Sequence, residues 1–176
     1  MSNKPTLKQF NKLVNNQLKE WKKSKRKKGE KVTKQGLATK RGNLIEDVAA
    51  NLLQNHPNKK DLDVQIFEED VDEFSRIDIV FTTKNNNKVY IPVARDLWLG
   101  TTQQDRLQIQ VYKYKSGICD KFNYSYLVGD SFEDYVNEES TKKARKKKTV
   151  QKWVKKLHEK NMLHTFDTLW EHLKTL

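Results

Sequence analysis

The chain has a single cysteine, Cys119, in 176 residues. One thiol closes no intramolecular disulfide and builds no zinc cluster, which fits a reducing, cytoplasmic setting. Long apolar runs are missing as well. Nothing approaches the ~18 residues of a membrane span, and the opening MSNKPTLKQFNKL lacks the apolar segment of a secretory signal. The expectation is a cytoplasmic protein with no membrane partner. No Gly-rich phosphate loop occurs. His56, His158, His164 and His172 have no metal-ligand spacing with Cys119 or with one another, so a zinc site is not expected. No internal repeat is present.

Acids are scarce where bases are dense. Residues 1–41 hold fourteen Lys and Arg against only Glu20 and Glu30, and residues 142–160 hold ten against only Glu159. Residues 61–80 reverse the balance, with eight acids and one Arg. Over the whole chain 35 basic side chains face 23 acidic ones, a net charge of +12. That excess describes partners, and it favours polyanions.

The length corresponds to one domain, residues 1–176, with a sizeable core. TLKQFNKLVNNQLKEWKK places Leu7, Phe10, Leu13, Val14, Leu18 and Trp21 at helical spacing. SKRKKGEKVTKQGLATKRG, residues 24–42, has three glycines and no usable period; it reads as a basic loop, poorly ordered alone. NLIEDVAANLLQNHP reads as a helix with Asn43 as N-cap and Pro57 as its stop. DVQIFEE reads as an edge strand. RIDIVFTT and KVYIPVARD read as central strands joined by the turn KNNNK, and the hairpin makes them antiparallel. TTQQDRLQIQVYKYKS reads as a helix, NYSYLVGD as a strand reached by a parallel crossover, and SFEDYVNEES and the segment after 148 as helices. The expected fold class is α/β, a central mixed β-sheet flanked by helices on both faces. A basic helix and loop (1–42) precede the core (43–130), and C-terminal helices (131–176) follow.

Asp78 lies inside the first central strand, and Arg95 and Asp96 close the second. Charge beside a strand core is expensive unless it is paired or binds a metal. The order of elements around Asp78 resembles the core of the PD-(D/E)XK nuclease superfamily, to which type II restriction endonucleases belong. The resemblance covers residues 43–130. It makes Asp78 the acid of the second core strand and Glu46 the additional acid on the first helix. It also matches Gln108 and Tyr112 to a Gln-x-x-x-Tyr pattern on the next helix. Val93-Ala94-Arg95 stands where the family has acidic-x-Lys. The resemblance implies a restriction-endonuclease-like α/β sandwich and a Mg²⁺-dependent endonuclease acting on double-stranded DNA as a homodimer. Asp78 and Glu46, with a strand carbonyl at Val93, would hold the metal. Arg95 would stabilise phosphate charge, Asp96 would be a displaced acid, and Gln108 would complete the catalytic set. The alternative is an inactive DNA-binding module that keeps the nuclease fold. Each acid also has a structural reading: Asp78 as a partner of Arg76 or a lysine, Glu46 as half of a capping box with Asn43.

The basic tracts are expected to hold DNA phosphates. Lys22, Lys23, Lys25, Arg26, Lys27 and Lys28 form the first, and Lys143, Arg145, Lys146 and Lys147 the second. Lys34, Gln35, Thr39, Lys40 and Arg41 on the intervening segment are the candidates for closer contact. Trp21 and Trp153 flank the two tracts.

Overall fold

The structure is a computed structural model that describes residues 4–64, 77–94, 117, 123–129 and 148–176. Helix α1 runs Leu7–Lys27. It starts at a reciprocal cap in which the Gln9 N–H donates to Thr6 Oγ1 (3.2 Å) and the Thr6 N–H donates to Gln9 Oε1 (2.7 Å). Its apolar stripe buries Phe10, Val14 and Leu18. It ends where Gly29 adopts a positive φ of 70°, and the Glu30 N–H donates back to the Lys25 carbonyl at 2.9 Å. A left-handed residue just past a helix favours glycine because it has no Cβ to clash.

Helix α2 spans Lys34–Leu53, which corrects the expected loop. Its N-cap is Thr33, whose hydroxyl accepts the Gly36 N–H at 3.0 Å. Asn43 therefore lies inside the helix, and the capping box with Glu46 does not form. Glycine inside a helix costs roughly 1 kcal/mol relative to alanine. Gly36 and Gly42 are carried because Leu37 packs on the core and Lys and Arg are good helix formers.

Strand β1 (Lys59–Val64) pairs antiparallel with β2 (Ile79–Thr83), which pairs antiparallel with β3 (Lys88–Ile91). The edge strand thus lies earlier than DVQIFEE, and residues 65–76 are outside the described residues. In the β2–β3 turn Asn86 takes φ 64°, a conformation that asparagine tolerates. Asn85 and Asn87 donate side-chain N–H groups to the Leu176 carbonyl at 3.3 and 2.9 Å, so the turn also anchors that end of the chain.

The expected second central strand is broken at Pro92. Beyond it β4 (Val93–Ala94) pairs in parallel with β5 (Tyr126–Val128), which pairs in parallel with a short strand β6 (Leu163–His164). The Pro92 carbonyl still accepts the Leu127 N–H at 2.9 Å, and a bridge joins Tyr90 to Tyr124. Through β3, Pro92 and β4 the two ladders meet, antiparallel on one side and parallel on the other. The fold is mixed α/β, as expected, but its strands form two three-stranded sheets, β1-β2-β3 and β4-β5-β6, in place of one central mixed sheet.

Helix α3 (Lys148–Glu159) and helix α4 (Phe166–Lys174) bracket β6. One core packs α1, α2 and α4 against Ile79, Phe81, Val89, Ile91, Val93 and Leu127. A second packs Val154 and Leu157 of α3, with Met162 and Leu163, against Ala94, Tyr124, Tyr126 and Val128. The period-two alternation of the strands sorts these side chains to opposite faces of the sheet. Among the described residues no helix is long and apolar enough to cross a membrane.

Candidate nucleic-acid interface and the Asp78 junction

Asp78 lies just before β2, beside the point where the antiparallel and parallel ladders meet. The Tyr90 N–H donates to the Asn123 carbonyl (2.9 Å), and its own carbonyl accepts from Ser125 (3.1 Å). Residue 90 therefore turns its backbone groups toward β5, and residues 89, 91 and 93 turn theirs toward β2. The β2–β3 register pairs Ile79 with Ile91, and two residues further it places Val93 opposite Ile77. The Val93 N–H does not close the ladder there. It donates to Asp78 Oδ2 at 2.6 Å, while the Asp78 N–H reaches the Ile91 carbonyl at 3.3 Å. A carboxylate takes the place of a main-chain acceptor. A charge-assisted bond of this length is among the stronger hydrogen bonds a protein makes.

The same register puts Pro92 opposite Asp78. Side chains on Asp78's face of the central strand are then Pro92 and Ala94, while Val93 is 2% exposed in the opposite core. Asp78 and Val93 are adjacent, but the group that Val93 turns to Asp78 is its N–H, where the expectation was a carbonyl ligand. Glu46 is half-buried on α2, whose apolar side packs on the face opposite to Asp78. Mg²⁺ takes a near-octahedral set of oxygens. Positions 92 and 94 supply no side-chain oxygen, and among the described residues no three His, Cys, Asp or Glu side chains gather to hold a metal. The described residues do not by themselves fit the ion. Arg95, Asp96 and Gln108 lie outside the described residues.

The basic tract is built differently. Residues 22–41 carry ten Lys and Arg against one acid, Glu30. They form the closed end of the α1–α2 helical hairpin. Lys23 pairs with Glu20 at 2.8 Å and Lys25 pairs with Glu30. Those hydrogen bonds from lysine hold both glutamates below the usual carboxylate range. Among the described residues the other eight bases make no ion pair. Arg26, Lys27, Lys28, Lys34, Gln35 and Thr39 are exposed, and Lys22, Lys40 and Arg41 are half-buried. Arg41 Nε is shielded from water without a hydrogen-bond partner. Trp21 packs on the core and does not stand out as a stacking platform. Lys143, Arg145, Lys146 and Lys147 are outside the described residues, as is the Trp153 side chain.

Of the four histidines, His56 and His164 are buried, His172 is half-buried and His158 is exposed. His56 is 4% exposed; its Nε2 lies 2.9 Å from the Trp170 carbonyl, and its Nδ1 accepts the Asn58 N–H at 3.1 Å. These partners fix a neutral ring that ties α4 to the end of α2. Burial holds its pKa below the ordinary value. His164 stacks on His172 with ring centroids 4.8 Å apart, and burial pushes its pKa down to about 4. A buried histidine flanked by apolar residues has no sequence signature separating it from a ligand.

No family model, curated protein or solved structure matches the chain.

Proposed function

We propose that the protein is a double-stranded DNA-binding module built on a nuclease-like α/β scaffold, with the α1–α2 hairpin as its phosphate-binding element. The observation that carries this reading is the hairpin's closed end: ten basic side chains in twenty residues, eight of them without an ion pair among the described residues. Cations held apart at a helical turn, with few acids to neutralise them, attract a polyanion and release its counterions on binding. Contacts to phosphate position a protein on a duplex without reading its sequence. Titrating a labelled duplex at several salt concentrations tests this. Binding should weaken steeply as salt rises, and a flat response removes the reading.

A second reading is the Mg²⁺-dependent endonuclease. What favours it is Asp78 itself, a carboxylate beside the point where an antiparallel ladder on one edge of the central strand meets a parallel ladder on the other. Ligands would then have to come from residues beyond the described set, Asp96 among them. Supercoiled plasmid incubated with Mg²⁺ or Mn²⁺ separates the two. Nicked or linear product favours the enzyme; intact plasmid that is nonetheless bound favours the module.

A further inference from the structure

Helix α1 carries a second basic feature that the dense tract at its end conceals. Lys8, Lys12, Lys19, Lys22 and Arg26 recur at intervals of four, seven, three and four residues. At 100° per residue these positions share one face, and Phe10, Val14, Leu18 and Trp21 share the face turned to the core. Four of the five cations are exposed and Lys22 is half-buried. Among the described residues none makes an ion pair. The helix's one acid, Glu20, lies off the stripe and is paired with Lys23. From Lys8 to Arg26 the stripe is about 27 Å long at 1.5 Å per residue. A duplex rises ~3.4 Å per base pair, so the stripe matches about eight base pairs.

We propose that this outer face of α1 is a track for the phosphate backbone of duplex DNA, extending the contact from the hairpin's closed end along the whole helix. The proposal rests on the DNA-binding reading and adds to it the place and length of the contact.

Three observations select this partner. An amphipathic basic helix also suits an anionic membrane, but there it must insert its apolar face. Here that face is already buried, with Phe10 at 0%, Val14 at 2% and Leu18 at 6% exposure. Single strands are held by stacking bases on exposed aromatic rings. On α1 Phe10 is buried and Trp21 packs on the core. A row of charges along one rigid helix suits a stiff polyanion, and a duplex is stiff over ~150 base pairs.

The test compares three proteins on one duplex: the wild type, the triple variant K8Q/K12Q/K19Q, and a control triple K59Q/K84Q/K88Q on the β1–β2–β3 sheet. Glutamine keeps helix propensity, and circular dichroism with thermal melting checks that each folds. Both triples remove the same charge. The α1 triple should flatten the slope of log affinity against log salt by about 2.7, at ~0.9 for each lost phosphate contact. The control should keep the wild-type slope. Equal losses in both triples overturn the proposal, because net charge alone would explain them. An unchanged slope in the α1 triple also overturns it while leaving DNA binding at the hairpin intact. A flat salt response in the wild type instead removes the DNA-binding reading itself. Binding of phosphatidylserine vesicles that depends on the stripe, without duplex binding, would replace the duplex by a membrane.

Discussion

The α1–α2 hairpin and the Asp78 junction both place charge where the fold has an end, and they handle it in opposite ways. At the hairpin six of the ten cations are exposed and four half-buried, two of the ten paired with glutamate and eight without an ion pair among the described residues. At the junction one carboxylate is drawn into the sheet and bonded to the Val93 N–H at 2.6 Å. Exposed charge of the first kind contributes little to stability and remains available to a partner. Half-buried charge of the second kind is committed to the fold, because removing its acceptor strands a buried amide. The dense positive charge thus stays mostly at the surface, and the single acid is built into the strand ladder.

The comparison breaks most visibly under salt. If the hairpin and α1 engage six to ten phosphates, raising salt from 50 to 200 mM weakens duplex binding by about 10³–10⁵-fold. The same change should move the melting temperature far less, since exposed ion pairs contribute little to stability and buried groups are poorly screened. Filter binding and calorimetry on one preparation read both.

Acid acts on the opposite half. Burial holds His56, His164 and His172 below their ordinary values, with His164 at about 4. The unfolded chain then binds more protons between pH 6.5 and 4, so stability is full above about 6.5 and falls as pH drops toward the folded value. For His164 alone a depression from near 6.5 to about 4 is worth roughly 3 kcal/mol. His164→Gln should shrink the loss measured by urea unfolding at pH 7 and pH 5. An unchanged difference would mean that carboxylates elsewhere carry the acid response.

Asp78 sharpens the contrast on a smaller scale. Asp78→Ala leaves the Val93 N–H without its acceptor and should cost about 1–3 kcal/mol in urea unfolding. Asp78→Asn keeps an oxygen at the same place and should cost less, while duplex affinity holds or rises as a negative charge is lost. Equal stability of all three proteins would show that the bond to Val93 does not hold the junction.

The parts of this architecture that were legible in the sequence are those with a period. Phe10, Val14 and Leu18 announce α1, and the runs around the turn at 84–88 announce the antiparallel hairpin. The start of α2 was hidden because Gly36 and Gly42 look like breaks. Its first turn also carries lysine and glutamine where an apolar stripe was sought. The split at Pro92 was missed because a parallel neighbour arriving from residues 126–128 leaves no trace beside the strand that receives it. Asp78 was legible as an anomaly, but its partner among the described residues is a main-chain N–H, a group every residue but proline carries. No spacing of side chains could have named it.

The smallest effect isolates stability from binding within the hairpin itself. Thr33 Oγ1 accepts the Gly36 N–H at 3.0 Å, and a Cβ on Gly36 would lie 3.1 Å from that oxygen, so cap and glycine are fitted to each other. Thr33→Ala removes the acceptor and should cost about 1 kcal/mol, or a few degrees of melting temperature. Thr33→Asp keeps an acceptor and adds a negative charge at the positive end of the helix dipole, which should preserve or raise stability by up to ~1 kcal/mol. The same charge stands among the cations proposed to meet phosphate, so duplex affinity should fall in Thr33→Asp and hold in Thr33→Ala. If stability and affinity move together in both variants, the basic end of the hairpin binds through its fold alone. If they separate in this way, its charges act on the partner independently of the helix that presents them.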